Sequence, residues 1–176
     1  MKVFGFAGWS GSGKTTAIER IIPLLREHGL RVSLVKHAHH EFEIDQPGKD
    51  SWRHRQAGCS EVLISSTARW ALMHELRGDL ELSFEQALRQ LSPCDLVLIE
   101  GYKRAAIPKL EIHRARVGKP LLYPDDPNII GLATDTPDAF VMRGIPVLDL
   151  SNAGAICELV MTRCSELVID NLPLSL

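Results

Sequence analysis

Gly8-Trp9-Ser10-Gly11-Ser12-Gly13-Lys14-Thr15-Thr16 is the stretch on which the fold turns. It satisfies the spacing G-x-x-x-x-G-K-[ST], and its surroundings match. Before it stands Val3-Phe4-Gly5-Phe6-Ala7, a short apolar run of strand type. After it, between Lys14 and His28, apolar residues recur at Ala17, Ile18, Ile21, Ile22, Leu24 and Leu25, a helical stripe. Strand, glycine loop and helix in that order make a phosphate-binding loop. The glycines let the backbone turn tightly and bring its N–H groups close to phosphate oxygens. The helix offers unpaired N–H groups and a positive dipole end to the same anion. Lys14 is placed to reach the β- and γ-phosphates, and the Thr15 hydroxyl to ligate Mg2+. Gly8, Ser10, Gly11, Ser12, Gly13, Lys14, Thr15 and Thr16 are therefore the expected nucleotide-binding residues. A chance glycine-rich turn would leave the flanking strand and helix unexplained.

The chain has 176 residues, enough for one domain with a real core, expected over residues 1–176. It is 45% hydrophobic and 24% charged, as in soluble globular proteins. The formal charge of −2 gives no global basic field for nucleic acid. No apolar run approaches the roughly 18–20 residues of a membrane span. No basic-then-apolar leader precedes the first strand, so a cytoplasmic location is expected. Cys59, Cys94, Cys157 and Cys164 form no C-x-x-C pair, which suits reduced thiols better than a disulfide frame or a zinc site.

Beyond the first helix, Pro23 predicts a bend or open turn and Gly29 a C-terminal stop. Residues 30–36 read as a second strand delivering Lys36-His37-Ala38-His39-His40 to its end. A polar loop follows, then a helix capped by Asp50-Ser51 and running to Ala57, with Gly58 after it. Residues 61–65 and 69–74 pattern as a hairpin. Ser83 and Gln86 form a capping box for a helix through Leu91. Residues 94–101 are nearly continuously apolar, the mark of a central strand covered on both faces. Strands are also expected at 109–113, 129–135 and 145–148, and an amphipathic helix over 153–169. Alternating strands and helices predict an α/β fold: a P-loop NTPase-type three-layer sandwich with a mostly parallel sheet and some antiparallel strands. Its ligand belongs at the strands' C-terminal edge.

Four segments point at that edge: the glycine loop, Lys36-His37, Glu100-Gly101 and Asp135. Glu100 ends the central strand, where a carboxylate holds Mg2+ directly or through water; a surface acid is the plainer reading. Asp50 is a candidate for the same Mg2+ shell, or a simple helix cap. Lys36 adds a second cation beside the phosphates, and with Lys14 is the catalytic candidate. His37, His39 and His40, with Glu41, Glu43 and Asp45, can be read as a metal cluster or as pocket lining. Asp135 follows a buried strand where an acid can accept hydrogen bonds from the guanine ring N–H and exocyclic amine. The full N-K-x-D pattern is absent, since Leu132-Ala133-Thr134-Asp135 stands there. GTP with Mg2+ is the expected ligand pair. No residue is placed to orient an attacking water, and Arg53, Arg55 and Arg104 are the candidates for an arginine finger.

The glycine loop, Lys36-His37-x-His39-His40, Asp45-x-Pro47-Gly48-Lys49-Asp50-Ser51, Arg69-Trp70-Ala71-Leu72-Met73 and Ile99-Glu100-Gly101-Tyr102-Lys103 together resemble the MobB family. These are the molybdopterin-guanine dinucleotide biosynthesis adaptor proteins. The likeness runs from about Val3 to Asp149. It implies a GTP-binding protein with weak GTPase activity. It also implies a homodimer that assists the molybdenum cofactor guanylyltransferase attaching GMP to molybdopterin; molybdoenzymes are further candidate partners. Two other readings use the same scaffold. One is a small-molecule kinase or ATP-dependent ligase, in which Lys36 and the histidines bind an acceptor. The other is a metal-insertion GTPase using the histidine segment.

Overall fold

The computed structural model describes residues 1–38, 42–140 and 144–167. They fall into two compact units, residues 1–37 with 84 onward, and residues 38–83. The first holds β1 (Lys2–Ala7), α1 (Lys14–Glu27), β2 (Val32–Lys36), α3 (Phe84–Arg89), β5 (Leu96–Glu100), β6 (Lys109–His113), β7 (Ile129–Thr134), β8 (Val147–Asp149), α4 (Ala153–Arg163) and β9 (Ser165–Glu166). The second holds α2 (Asp50–Gln56), β3 (Glu61–Ser65) and β4 (Trp70–His74).

Among the described residues the larger sheet has the order β2-β5-β1-β6-β7-β8, all parallel. Strand β9 adds to it antiparallel, pairing Val3 with Ser165 and Lys2 with Glu166. Alternation along the strands builds two cores. Phe4, Phe6, Leu96, Leu98, Leu110 and Ile112 pack with Ile18, Ile21 and Leu25 of α1 and Ile156 and Val160 of α4. Val3, Val97 and Ile99 pack on the opposite face with Leu88 of α3 and Ile107. Helices on both faces make three layers, as the strand–helix alternation predicts. β5 is buried along its whole length between β2 and β1, as its unbroken apolar run requires.

Helix α1 ends in a Schellman turn. Gly29 has φ 80°, its N–H donates to Arg26 O (2.9 Å), and Leu30 N–H donates to Leu25 O (3.2 Å). The helix continues through Pro23, which lies on its exposed side, where water can satisfy the carbonyl freed on Glu19. The expected helix over 153–169 is corrected. It stops at Arg163, and the chain turns extended at Cys164 so that residues 165–166 pair with β1 and Leu167 N–H donates to Met1 O (2.9 Å). Strand β1 lies between β5 and β6, but β6 pairs with it only from Gly5 onward, and the stretch left open at Lys2 and Val3 takes the tail that helical periodicity had claimed.

The smaller unit is an antiparallel hairpin, Glu61 opposite His74 and Ser65 opposite Trp70, with α2 against β3. Lys49 is the N-cap of α2 and Asp50 its first residue, so Asp50 stands in the first turn instead of capping it. Arg55 is enclosed by acids of this unit. It donates to both oxygens of Asp45 (2.6 and 3.2 Å), to Glu43 (2.9 Å) and to Glu75. Those bonds hold the Asp45 carboxyl below its ordinary pKa.

Candidate functional site

The loop between β1 and α1 turns through left-handed glycines, Gly8 (φ 142°), Gly11 (78°) and Gly13 (100°). A Cβ on Gly8 would lie 2.4 Å from Ile112 O and 2.8 Å from Ser12 Oγ, so only glycine fits. Ser12 N–H donates to Trp9 O (3.1 Å) and closes the loop. Helix α1 then begins with no side-chain cap and no acid in its first turn. Helix α4 shows the contrast, since Asn152 Oδ1 accepts from Ala155 N–H (3.0 Å). The first turn of α1 thus keeps its donors and positive dipole end for an anion. Ser12 Oγ is buried with no hydrogen-bond partner among the described residues. A buried orphan hydroxyl, a glycine-only cradle and an uncapped helix fit a phosphate chain.

Three charged side chains meet at the same edge. Lys36 and Glu100 end neighbouring strands and are register partners. Lys36 Nζ lies 3.5 Å from Glu100 Oε2, and Thr15 Oγ1 donates to Glu100 Oε1 (3.1 Å). Glu100 is buried while Lys36 is half-exposed. Lys14 Nζ donates to Gly8 O (3.0 Å) and Trp9 O (3.1 Å). Burial pushes the Lys14 pKa below that of a free lysine. Glu100 pulls it back up, and Lys103 and Lys36 push it further down. A hydroxyl and a carboxylate beside a phosphate cradle are hard oxygen donors of the kind that share Mg2+ with phosphate oxygens and water. No all-protein cluster of three or more His, Cys, Asp or Glu forms among the described residues.

Of the expected site residues, the structure brings together Gly8, Ser12, Lys14, Thr15, Lys36 and Glu100; Ser10, Gly11, Gly13 and Thr16 lie in the loop and the first turn of α1. Asp135 follows β7 directly, with Arg114 Nη1 3.6 Å from its Oδ2. Arg114 Nε also donates to Ser12 O (3.1 Å), so one guanidinium touches both the glycine loop and the expected base-reading acid. Asp50 belongs to the second unit, where it is exposed. His37 packs its ring on Tyr102 (4.8 Å between centroids); His39, His40 and Glu41 lie outside the described residues. Sequence reasoning missed Arg114 and the partners of Trp9. The ring of Trp9 lies 4.7 Å from Lys103 Nζ and 5.7 Å from Lys119 Nζ. Arg114 comes directly after a strand that ends at the ligand edge, and that position was its only signal.

The sheet order, the glycine loop and the Thr15–Glu100 contact define an α/β protein of the P-loop NTPase type. A family model described as molybdopterin guanine dinucleotide synthesis protein B (MobB) matches residues 3–135, and the chain belongs to that family. It is 42% identical over 135 residues to the molybdopterin-guanine dinucleotide biosynthesis adapter protein of Haemophilus influenzae, covering 77% of this chain and 75% of that one. It is 36% identical over 162 residues to the protein of that name from Escherichia coli (strain K12), covering 90% and 91%. The crystal structure of Bacillus subtilis MobB aligns with a TM-score of 0.73 at 25% identity, covering 95% of this chain and 100% of that one. Among the described residues, no helix is long and apolar enough to cross a membrane.

Proposed function

We propose that this protein is an adapter in molybdopterin-guanine dinucleotide biosynthesis that binds GTP with Mg2+ at the glycine loop and hydrolyses it slowly. The observation that carries the reading is the Thr15–Glu100 contact of 3.1 Å beside an uncapped α1 and the Lys14 ammonium. Backbone N–H groups of the loop and first turn bind the phosphate oxygens, and Ser12 Oγ gains a partner there. Lys14 neutralises the β- and γ-phosphates, and Lys36 adds charge from the next strand end. Thr15 and Glu100 would hold Mg2+, which when bound offsets the negative charge between the β- and γ-phosphates. Asp135 accepts from the guanine edge, which presents two donors that adenine lacks in that arrangement.

The same reading makes hydrolysis slow, at about 10⁻⁴–10⁻³ per second for the protein alone, the range of P-loop proteins lacking an arginine finger in cis. It makes the protein a homodimer whose partner is the guanylyltransferase that attaches GMP to molybdopterin, with molybdoenzymes as further candidates and the cytoplasm as its location. Calorimetry with Mg2+ tests the core of it. GTP is expected to bind in preference to ATP, and Lys14→Ala to weaken GTP by at least roughly tenfold. Binding of neither nucleotide, or an unchanged affinity in Lys14→Ala, would end the proposal.

A further inference from the structure

The loop that follows β5 is held more firmly than an exposed turn requires. Gly101 has φ 94°, and a Cβ there would come within 3.0 Å of His37 O. Tyr102 takes φ 43°, a left-handed conformation unusual for a bulky residue. Its ring packs against His37 (4.8 Å) and Phe84 (5.2 Å). Behind the loop Lys109, 1% exposed, donates Nζ to Lys103 O (2.8 Å) and Ala105 O (2.9 Å) and pairs with Asp126 (2.6 Å). A buried ammonium is rare and costly. Here it fixes the backbone of residues 103–105.

What that backbone presents is the exposed ammonium of Lys103. It stands over Trp9, a residue of the glycine loop, 4.7 Å from the ring centroid. The ring is itself fixed, because Trp9 Nε1 donates to Pro120 O (2.8 Å). Lys103 is also close enough to Lys14 for its charge to depress that lysine's pKa. Lys36 reaches Glu100, Lys14 feels the charges of Glu100, Lys36 and Lys103, and three ammonium groups beside one carboxylate call for an anion. A lysine merely resting on an aromatic ring needs neither a strained tyrosine nor a buried lysine behind it.

We propose that Lys103 binds the terminal phosphate of a nucleoside triphosphate, as a cation supplied by the chain itself that separates triphosphate from diphosphate. The inference rests on the nucleotide reading above and gives that site its selectivity. Trp9 sets where the ammonium stands, and Lys109 sets the height of the loop that carries it. A diphosphate ends short of the third phosphate and gains little from Lys103.

Calorimetry of a non-hydrolysable GTP analogue and of GDP, each with Mg2+, tests it on wild type, Lys103→Met and Lys103→Arg. Lys103→Met is expected to weaken the triphosphate analogue by roughly ten- to a hundredfold and GDP by less than about threefold, as for loss of one charge-assisted hydrogen bond. Lys103→Arg is expected to restore most of the difference. Equal weakening of both ligands, or no weakening, overturns the inference. Lys103 is exposed, so thermal midpoints of the variants are expected to match wild type, and a marked drop would assign it a structural role instead. If wild type binds neither ligand, the nucleotide reading itself has failed. If wild type binds both and Lys103→Met leaves their ratio unchanged, only the role of Lys103 falls.

Discussion

Gly8 is a residue that one added methyl group would disable. Its φ of 142° is hostile to any side chain, and Ile112 O leaves no room for a Cβ. Gly8→Ala is expected to cost about 2 kcal/mol or more in urea denaturation and to abolish nucleotide binding with it. Asp135 makes a different kind of prediction, about specificity. If its carboxylate reads the guanine edge, Asp135→Asn turns one acceptor into a donor. GTP affinity should fall by roughly ten- to a hundredfold and XTP affinity should rise, both measured by calorimetry. Equal GTP and XTP affinities in the variant would remove Asp135 from the base site. The glycine loop was legible in the sequence because its chemistry is local: the spacing of nine residues states what the backbone must do. Arg114 was not legible. Its two contacts reach Ser12 and Asp135 across the fold, and nothing near it in the chain announces them.

Strand β6 carries two buried charges on one face, Lys109 and Glu111. Glu111 accepts from Leu122 N–H (2.8 Å) and Tyr123 N–H (2.9 Å) and so anchors the connection to β7. Burial pushes its pKa up, so its contribution to stability declines as pH rises from its unfolded value through the raised folded one. Asp126 behaves in the opposite sense. Burial works to raise its pKa, but hydrogen bonds from Lys109 and Asn128 outweigh that and hold it below the ordinary value. Its contribution is complete above the unfolded pKa and lost as pH falls through the depressed folded one. Lys109→Met is expected to destabilise by about 3 kcal/mol at pH 7, because Asp126 loses its partner. The gap from wild type should narrow as pH falls through the ordinary carboxylate range and on through the depressed folded pKa, as Asp126 is protonated first in the variant and then in wild type. Urea titrations at pH 7 and pH 3 check both statements, and a gap independent of pH would separate Asp126 from the effect. Lys109 falls in a strand-like run, yet only the packed structure shows its ammonium sheltered under a loop.

At the scale of the whole molecule, the hairpin exposes apolar surface. Leu63, Trp70 and Leu72 share one face of β3 and β4, and Leu63 and Trp70 are each more than 60% exposed. A two-stranded hairpin is marginal in water by itself, and its open edges and apolar face favour a second copy. Sedimentation is expected to give a dimer for wild type. Leu63→Glu with Leu72→Glu should raise the dissociation constant by at least roughly a hundredfold, since each carboxylate would have to be buried. A dimer unaffected by the pair would place the interface elsewhere.

Local patterns carried far in this chain. The glycine loop, the Schellman stop at Gly29, the nearly continuous apolar run of β5 and the hairpin were each readable within a window of a few residues, because backbone conformation and burial period are set there. The end of α4 was not, because residues 165–166 pair with β1 and Leu167 bonds Met1 across almost the whole chain. The same holds for the grip of Lys109 on residues 103–105, the bridge of Arg114 and the stand of Lys103 over Trp9. Sequence by itself determined the parallel strands of the larger sheet and the glycine loop between β1 and α1. Only the tertiary structure decided which distant charges share an edge, because Coulomb and hydrogen-bond energies depend on distance in space and not on separation along the chain.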